Sequence, residues 1–326
     1  MTTPTAEART YKAKDFSQPS ANDWCAGCGD FGIINAMHQA CAKLGLDPSR
    51  VVTVGGIGCS GKAPYYMGTY GVHTLHGRPL PFATGIKLAN PDLTVMVASG
   101  DGDTLGIGAG HFVGAGRRNV DITSIMFDNE VYGLTKGQAA PTLPMGLQTK
   151  GLAVPSSQAK INPLMMAYAC GFTWIGRGYS YNIKQLVELI MAAIEHPGLS
   201  FLDVLQPCPT YNNLHTKDWY AGKDQEEVRP RVQPLPEDFA AHIDENSSEE
   251  EVLDHARNFM VEAHRWGTEI PTGVFLENTG VTTFAERIRE RVKTYAETTP
   301  SNKVIADANG VANADLTSMF DELAVN

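Results

Sequence analysis

The sequence lacks a long apolar run, an excess of positive charge and any repeated or low-complexity segment. No uninterrupted apolar segment reaches the roughly 20 residues of a membrane-spanning helix, and residues 1–24 are polar, without the apolar centre of a signal peptide. Lysine and arginine number 26 against 36 aspartates and glutamates, so the basic stripe typical of nucleic-acid-binding proteins is missing. We therefore expect a soluble cytoplasmic protein that binds neither membranes nor nucleic acid.

The acidic excess is confined to the C-terminal part of the chain. Residues 235–326 hold 18 acidic residues against 7 basic ones, whereas residues 1–234 hold 18 against 19. Helical apolar spacing recurs in residues 250–266 and 284–297, with acidic faces typical of solvated helices. We expect three parts, namely an N-terminal arm (1–22), a central domain (23–211) and an acidic, mostly helical C-terminal extension (212–326).

Short apolar runs alternate with helical patterns through the central domain. This alternation predicts an α/β fold with a doubly wound parallel sheet. The runs that predict strands are residues 51–54, 93–98, 122–127, 172–175 and 201–205. The patterns that predict helices are residues 31–44, 81–89, 163–170 and 183–194, with a further helical stretch that runs from the turn at Asp103 to Arg118.

Polar turns follow two of these predicted strands. Asp101 lies between glycines directly after residues 93–98, and Asn129 follows residues 122–127. Adjacent parallel strands would bring both turns to the carboxyl edge of the sheet, where open α/β sheets bind ligands. Glycines allow close approach of a phosphate, and carboxylate and amide oxygens suit Mg²⁺. The pattern predicts a magnesium–diphosphate site and resembles the diphosphate-binding motif of thiamine diphosphate enzymes.

Four of the six cysteines lie in turns. Cys25 and Cys28 form a C-x2-C pair, and Cys59 and Cys208 each follow a predicted strand. Four such thiolates could hold either zinc or a 4Fe-4S cluster, and spacing alone does not choose between them. Cys41 and Cys170 lie in predicted helices, and we expect them to be small buried hydrophobic residues.

A larger set of motifs resembles the beta subunit of 2-oxoacid:ferredoxin oxidoreductases, most closely the 2-oxoglutarate branch. The motifs are WCAGCGDFG, GIGCSGK, HGRPLPFATGIKLANP, SGDGD, RRNVDI, DNEVYGLTKGQ and QPCPTYN. The resemblance implies that Cys25, Cys28, Cys59 and Cys208 bind one 4Fe-4S cluster. It also implies that Asp101, Asn129 and the Val131 carbonyl hold Mg²⁺. The residues that it implies contact thiamine diphosphate are Ile57, Gly58, Cys59, Ser60, His76, Gly102, Asp103, Gly133 and Leu134.

The resemblance implies an enzyme that decarboxylates a 2-oxoacid oxidatively, passes electrons through the cluster to ferredoxin and transfers the acyl group to coenzyme A. We expect the substrate to be 2-oxoglutarate, giving succinyl-CoA, with Lys62 and Lys136 contributing to substrate binding and Lys62 contacting the distal carboxylate. A larger alpha, or alpha–gamma, partner would complete the thiamine site in a dimer of heterodimers.

Three alternatives stay open at this point. A pyruvate-type oxidoreductase would share every motif. A thiamine-dependent decarboxylase without electron transfer would leave the four cysteines idle, and a zinc-stabilised binding module would leave the spacing of Asp101 and Asn129 unexplained. A brown protein absorbing near 400 nm would favour the oxidoreductase.

Overall fold

The computed structural model describes residues 10–240 and 242–324, so residues 1–9 of the expected N-terminal arm and residues 325–326 lie outside the described residues. The strands are β1 (Val51–Gly55), β2 (Tyr70–His73), β3 (Thr94–Gly100), β4 (Ile122–Asp128), β5 (Val131–Tyr132), β6 (Gln138–Ala139), β7 (Trp174–Tyr179), β8 (Leu199–Leu205), β9 (Val232–Pro234), β10 (His242–Ile243) and β11 (Ile270–Asn278). The α-helices are α1 (Asp30–Lys43), α2 (Ala63–Tyr66), α3 (Pro79–Ala89), α4 (Ala109–Arg118), α5 (Pro163–Cys170), α6 (Ile183–Glu195), α7 (Lys217–Tyr220), α8 (Glu249–His264), α9 (Phe284–Arg291), α10 (Lys293–Glu297) and α11 (Thr317–Leu323).

A mostly parallel sheet forms the centre of the fold, which confirms the expected α/β class. Its strand order is β10-β11-β7-β8-β4-β3-β1-β2, and β9 also pairs with β11. The strands from β7 to β2 in this order pair in parallel, whereas β11 runs antiparallel to β7. The parallel strands therefore end at one common edge, which we call the carboxyl edge.

Helices cover both faces of the sheet. Successive residues of a strand point to opposite faces, so Ile125 and Phe127 of β4 join the core that α1 and α6 cover. Met126, between them, joins the core under α3, α4 and α5. All seven residues of β4 are buried, as expected for the central strand of a doubly wound sheet.

The helix α5 illustrates how local sequence sets the element boundaries. The side chain of Asn162 caps the helix by accepting a hydrogen bond from the Met165 amide at 3.3 Å, and Pro163 occupies the first turn. Gly171 ends the helix with φ +86°, a left-handed conformation that costs glycine little. Asn162 before the helix, Pro163 in its first turn and Gly171 after it are typical boundary signals and agree with the prediction of a helix over residues 163–170.

The C-terminal extension contributes a strand that the sequence did not predict. β11 pairs with β7, and Phe275 of β11 packs with Phe259 of α8 in the same core as α4 and α5. The sequence did not indicate this strand because it contains Pro271 and Gly273, and proline and glycine are depleted in strand interiors. The pairing includes an irregularity between Val274 and Leu276.

The helix expected over residues 284–297 is broken. Val292 is extended, with φ −122° and ψ 91°, and separates α9 from α10. The break turns Tyr295 toward the domain, where its hydroxyl donates to the Leu88 carbonyl at 2.9 Å. A tertiary contact thus overrides a continuous apolar pattern.

In the part of the chain that the structure describes, no helix combines the length and apolar character needed to cross a membrane.

Candidate active site

A cleft opens at the carboxyl edge, where loops follow β1, β3 and β4. We call it the edge cleft, and its lining residues are Ile57, Gly58, Cys59, Ser60, His76, Gly100, Asp101, Gly102, Asp103, Asn129, Val131, Tyr132, Gly133, Leu134 and Thr135. All twelve residues that the sequence analysis assigned to thiamine diphosphate or magnesium are among them. Stretches of sequence that are far apart in the chain therefore meet here, as the parallel sheet requires.

Asp101 is buried in the wall of the edge cleft and is held by three donors. Its Oδ1 accepts from the Gly102 amide at 2.8 Å, and its Oδ2 accepts from the Glu130 amide at 2.7 Å and the Thr142 hydroxyl at 2.5 Å. Burial raises the pKa of Asp101 to about 6, because desolvation disfavours the charged form. A divalent cation would favour the carboxylate again, so the chemistry of this buried carboxyl suits Mg²⁺.

Asp103 organises the opposite wall of the cleft. Its Oδ1 accepts from the Gly77 amide at 2.7 Å and the Ile57 amide at 3.1 Å, and it also contacts the His76 ring. Its Oδ2 accepts from the Ser99 hydroxyl at 2.6 Å. The carboxylate is fully occupied by the protein, and it fixes Ile57 and His76 in the cleft wall.

The turn after β4 presents Asn129 and Val131 to the cleft. The Asn129 Oδ1 accepts from the Val131 amide at 3.0 Å, and its Nδ2 donates to the Gln206 Oε1 at 2.7 Å. Glu130, between them, has φ +64°, which is uncommon for a residue other than glycine. Its carboxylate accepts from the His215 ring at 2.5 Å, and this anchor holds the strained turn in place.

A group of buried carboxyls lies behind Asp101. Burial, followed by the nearby charges of Asp203, Asp101 and Glu130, raises the pKa of Asp128 well above its usual range. Asp203 accepts from the Arg177 Nε at 2.9 Å, which offsets part of its own charge. Burial therefore favours the neutral forms of these carboxyls, and a bound cation would favour their charged forms instead.

The four cysteines expected to bind a cluster lie beside the edge cleft. A Cβ placed on Gly133 would lie 3.5 Å from the Cys59 Sγ and 3.9 Å from the Cys208 Sγ, so both sulfurs lie against the same wall. Cys59 and Cys208 are close enough to Cys28 to raise its pKa, and Cys25 and Cys208 are close enough to Cys59 to raise that of Cys59. The four residues are therefore neighbours.

Burial raises the pKa of three of these thiols. The pKa of Cys59 rises to about 11, and those of Cys28 and Cys208 also rise, each with desolvation as the largest cause. Thiolates are the forms that bind metals, so bound iron would have to supply the charge that stabilises them. Within residues 10–240 and 242–324, no group of three histidine, cysteine or acidic side chains is arranged to hold a single metal ion. The fit of a cluster thus rests on the proximity and chemistry of the four cysteines.

The two lysines expected to bind substrate lie outside the lining of the edge cleft. The Lys62 Nζ forms an ion pair with the Asp23 Oδ2 at 2.6 Å, and the Asp23 Oδ1 accepts from the Tyr66 hydroxyl at 2.6 Å. Lys136 is exposed and has φ +80° in the turn before β6. Their roles in binding stay predictions.

Several residues that support the site were not predicted from the sequence. Thr142 and Glu130 hold Asp101, and Gln206 contacts Asn129 and, through a bond of 3.2 Å, the Cys28 sulfur. Two of these residues could have been predicted from the sequence, because Glu130 directly follows Asn129 and Gln206 lies two residues before Cys208. Thr142 carries no such signal, since only the fold brings its hydroxyl to Asp101.

Comparison with family profiles gives two matches. The C-terminal TPP binding domain of thiamine pyrophosphate enzymes matches residues 56–204. The C-terminal part of the pyruvate ferredoxin oxidoreductase beta subunit matches residues 208–293. Together they span the edge cleft and much of the C-terminal extension.

Characterised relatives match over most of the chain. A 2-oxoacid:ferredoxin oxidoreductase subunit beta from Saccharolobus solfataricus is 49% identical over 93% of this chain and 97% of its own length. The 2-oxoglutarate oxidoreductase subunit KorB of Mycobacterium tuberculosis is 41% identical over 64% of this chain and 56% of its own length. A solved structure, the 2-oxoglutarate:ferredoxin oxidoreductase from Magnetococcus marinus with 2-oxoglutarate, coenzyme A and succinyl-CoA bound, superimposes with a TM-score of 0.75 at 34% identity, covering 97% of both chains.

Proposed function

Because the chain belongs to the beta subunits of 2-oxoacid:ferredoxin oxidoreductases, we propose that it works with an alpha subunit in the coenzyme A-dependent oxidative decarboxylation of 2-oxoglutarate. Electrons pass through one 4Fe-4S cluster to ferredoxin. The observation that carries the proposal is that the residues expected to bind thiamine diphosphate line one cleft with four cysteines beside it.

Each part of the site has a defined role in this proposal. Asp101, Asn129 and the Val131 carbonyl hold Mg²⁺, and Asp103 keeps Ile57 and His76 in the cleft wall against the cofactor. When bound, thiamine diphosphate would supply a carbon nucleophile for the keto carbon, and a cluster held by the four cysteines would supply an electron acceptor. Glu130 supports the metal site from outside the cleft, because its backbone amide donates a hydrogen bond to the Asp101 Oδ2.

The proposed substrate rests on Lys62 and on the relatives. A dicarboxylate such as 2-oxoglutarate has a second carboxylate that an ammonium group can bind. Lys62 lies three residues after Cys59 of the edge cleft, and its ammonium group pairs with Asp23, which Tyr66 holds in place and which lies two residues before Cys25. Lys136 lies in the turn that follows Leu134 of the edge cleft, and we propose that it contributes to the same substrate-binding region.

Replacement of Lys62 tests the substrate assignment. In the assembled enzyme, Lys62→Ala should raise the KM for 2-oxoglutarate about tenfold or more, the worth of a charge-assisted hydrogen bond, and should raise that for 2-oxobutyrate less. Iron and thiamine contents should stay at wild-type values. Lys43→Ala, on the exposed end of α1, is the matched control. Equal losses for both substrates would contradict the role of Lys62 at a distal carboxylate.

Pyruvate is the second candidate substrate. The match of residues 208–293 to the pyruvate ferredoxin oxidoreductase beta subunit favours it. Anaerobic assays with the coexpressed partner subunit, coenzyme A, oxidised ferredoxin and a panel of 2-oxoacids would decide between them. We expect ferredoxin reduction with 2-oxoglutarate at the highest kcat/KM. Release of carbon dioxide without ferredoxin reduction would contradict the oxidoreductase, and a colourless protein containing zinc would contradict the cluster.

The proposal extends to assembly and location. We propose a dimer of heterodimers, which light scattering of the purified complex would test. We also propose a cytoplasmic enzyme, because all six cysteines are unpaired in the described residues and free thiols persist in reducing compartments. Fractionation of cells that make the protein would test this location.

A further inference from the structure

Gln206 occupies the position between the two proposed cofactor sites. It directly follows β8 and is 1% exposed. Its backbone amide donates to the Asp128 backbone carbonyl, at the end of β4, at 2.7 Å. A Cβ on Gly29 would lie 2.7 Å from the Gln206 Cγ, so the loop after the C-x2-C pair packs directly on this side chain. The glutamine therefore has little freedom to move.

The side-chain amide of Gln206 bonds in two directions. Its Oε1 accepts from the Asn129 Nδ2 at 2.7 Å. Its Nε2 donates to the Cys28 Sγ at 3.2 Å and to the Pro207 carbonyl at 2.9 Å. One amide group thus contacts a proposed magnesium ligand on one side and a proposed cluster ligand on the other.

The polarity of these bonds fixes the orientation of Asn129. Because the Asn129 Nδ2 donates to an oxygen of Gln206, the Asn129 Oδ1 must face the other way, toward Val131. Reversing the Gln206 amide would bring its NH₂ group against that of Asn129 and would remove the donor to the Cys28 sulfur. Both contacts therefore depend on a single orientation of one amide.

We propose that Gln206 is a positioning residue that couples the two cofactor sites, orienting Asn129 for Mg²⁺ and donating to the sulfur of Cys28 to set the reduction potential of the cluster. The inference rests on the proposed function. Hydrogen bonds to cluster sulfurs are among the determinants of its potential, and a donor stabilises the more negative, reduced state. Partners of metal ligands typically alter metal affinity by about 10- to 100-fold.

Two substitutions separate the two contacts. Gln206→Leu removes both hydrogen bonds, so it should lower the reduction potential and weaken Mg²⁺-dependent binding of thiamine diphosphate about 10- to 100-fold. Gln206→Glu keeps an acceptor for Asn129 but replaces the donor at Cys28 with negative charge. It should lower the potential further and leave thiamine diphosphate affinity near the wild-type value.

The experiment is an anaerobic redox titration followed by electron paramagnetic resonance, with thiamine diphosphate binding measured by calorimetry on the same assembled preparations. Gln39→Leu is the matched control, because the Gln39 side chain bonds only within α1, to Asn35 at 3.3 Å, and neither quantity should change. A wild-type potential or wild-type affinity in Gln206→Leu would overturn the coupling. If that protein loses its cluster, a wild-type potential in Gln206→Glu would overturn it instead.

The wild-type protein separates this inference from the proposed function. If the wild-type complex holds no iron–sulfur cluster or does not bind thiamine diphosphate, the proposed function fails. If it holds both and the two Gln206 variants match it in potential and affinity, only the coupling fails.

Discussion

The two edges of the sheet both carry buried polar side chains, but they use them differently. At the opposite edge, where the parallel strands begin and which we call the amino edge, the Asn119 Oδ1 accepts from the Leu199 amide at 2.8 Å and the Thr173 hydroxyl at 2.9 Å. The Asn119 Nδ2 donates to the Val281 carbonyl at 3.1 Å. At the carboxyl edge, Asp101 and Asp128 have raised pKa values because they are buried. The Asn119 network joins neutral side chains to backbone groups, whereas burial at the carboxyl edge favours uncharged carboxyls that a cation would convert to their charged forms.

We therefore expect the buried polar side chains at the amino edge to stabilise the fold and those at the carboxyl edge to bind cofactors. The network at the amino edge is complete within the chain, so its loss should lower stability and leave cofactors unaffected. The network at the carboxyl edge is arranged around a cleft, so its loss should first affect cofactors. Substitutions at the two edges test the distinction.

The largest effect is expected for the cluster. Cys28→Ser should abolish the cluster or leave a labile one, since each corner of a 4Fe-4S cluster takes one thiolate. Cys170→Ser, at the end of α5 on the amino side of β7, should retain full iron content. Iron analysis and the absorbance near 400 nm of anaerobic preparations measure both. Full iron in the Cys28 variant, or loss of iron in the Cys170 variant, would show that the wrong cysteines were chosen.

A second large effect is expected at Asp101. Asp101→Ala removes the charged magnesium ligand, so it should weaken thiamine diphosphate binding by about 100-fold or more, the worth of a hydrogen-bonded charge, while iron content stays constant. Asp121→Ala is the control at the amino end of β4, where Asp121 pairs with Lys87 at 2.7 Å. Calorimetry with Mg²⁺ present measures the affinity. Wild-type affinity in the Asp101 variant would remove the proposed magnesium site.

At the amino edge, Asn119→Gly should lower the free energy of unfolding by about 1 to 3 kcal/mol, because the buried Leu199 amide loses its partner. Glycine keeps the left-handed backbone of residue 119, where φ is 51°. Asn119→Ala should lower the free energy of unfolding by about 1 to 2 kcal/mol more, because this left-handed conformation is unfavourable for alanine. Urea unfolding of the isolated chain measures both. A loss of thiamine diphosphate affinity as large as in the Asp101 variant would contradict the separation of the two edges.

The smallest effect concerns pH. Burial, with a smaller contribution from the charge of His242, lowers the pKa of His196 to about 4. The unfolded chain therefore binds a proton between pH 6.5 and about 4 that the folded chain does not, and stability falls as pH falls through this range. This one group changes the free energy of unfolding by at most about 1.4 kcal/mol per pH unit.

His196→Gln should reduce the pH dependence of the free energy of unfolding by that amount. Glutamine keeps a polar partner for the Thr173 hydroxyl, which lies 2.8 Å from the His196 Nε2, without the titrating ring. Urea unfolding at several pH values measures the difference. Identical slopes in the two proteins would assign the acid sensitivity to other groups.

The sequence predicted the sheet and the cleft because both follow from local patterns. Apolar runs such as residues 122–127 marked the buried strands, and the turns after them carried Asp101 and Asn129 to the same edge. The contacts made by Thr142 and His215 were not predictable, since they depend on loops that return from distant parts of the chain. The break at Val292 was missed because it depends on the distant contact between Tyr295 and Leu88, whereas β11 was missed because Pro271 and Gly273 are untypical of strand interiors.

The position of β11 has a consequence for synthesis of the protein. β7 pairs with β8 on one side and β11 on the other, and β11 is translated about 90 residues after β7 ends. Until β11 leaves the ribosome, the outer side of β7 has unpaired amides and carbonyls, and such an edge can pair with other chains. The nascent chain therefore carries an exposed strand edge while about 90 further residues are added, an interval in which Cys208, the last of the proposed cluster ligands, is also made.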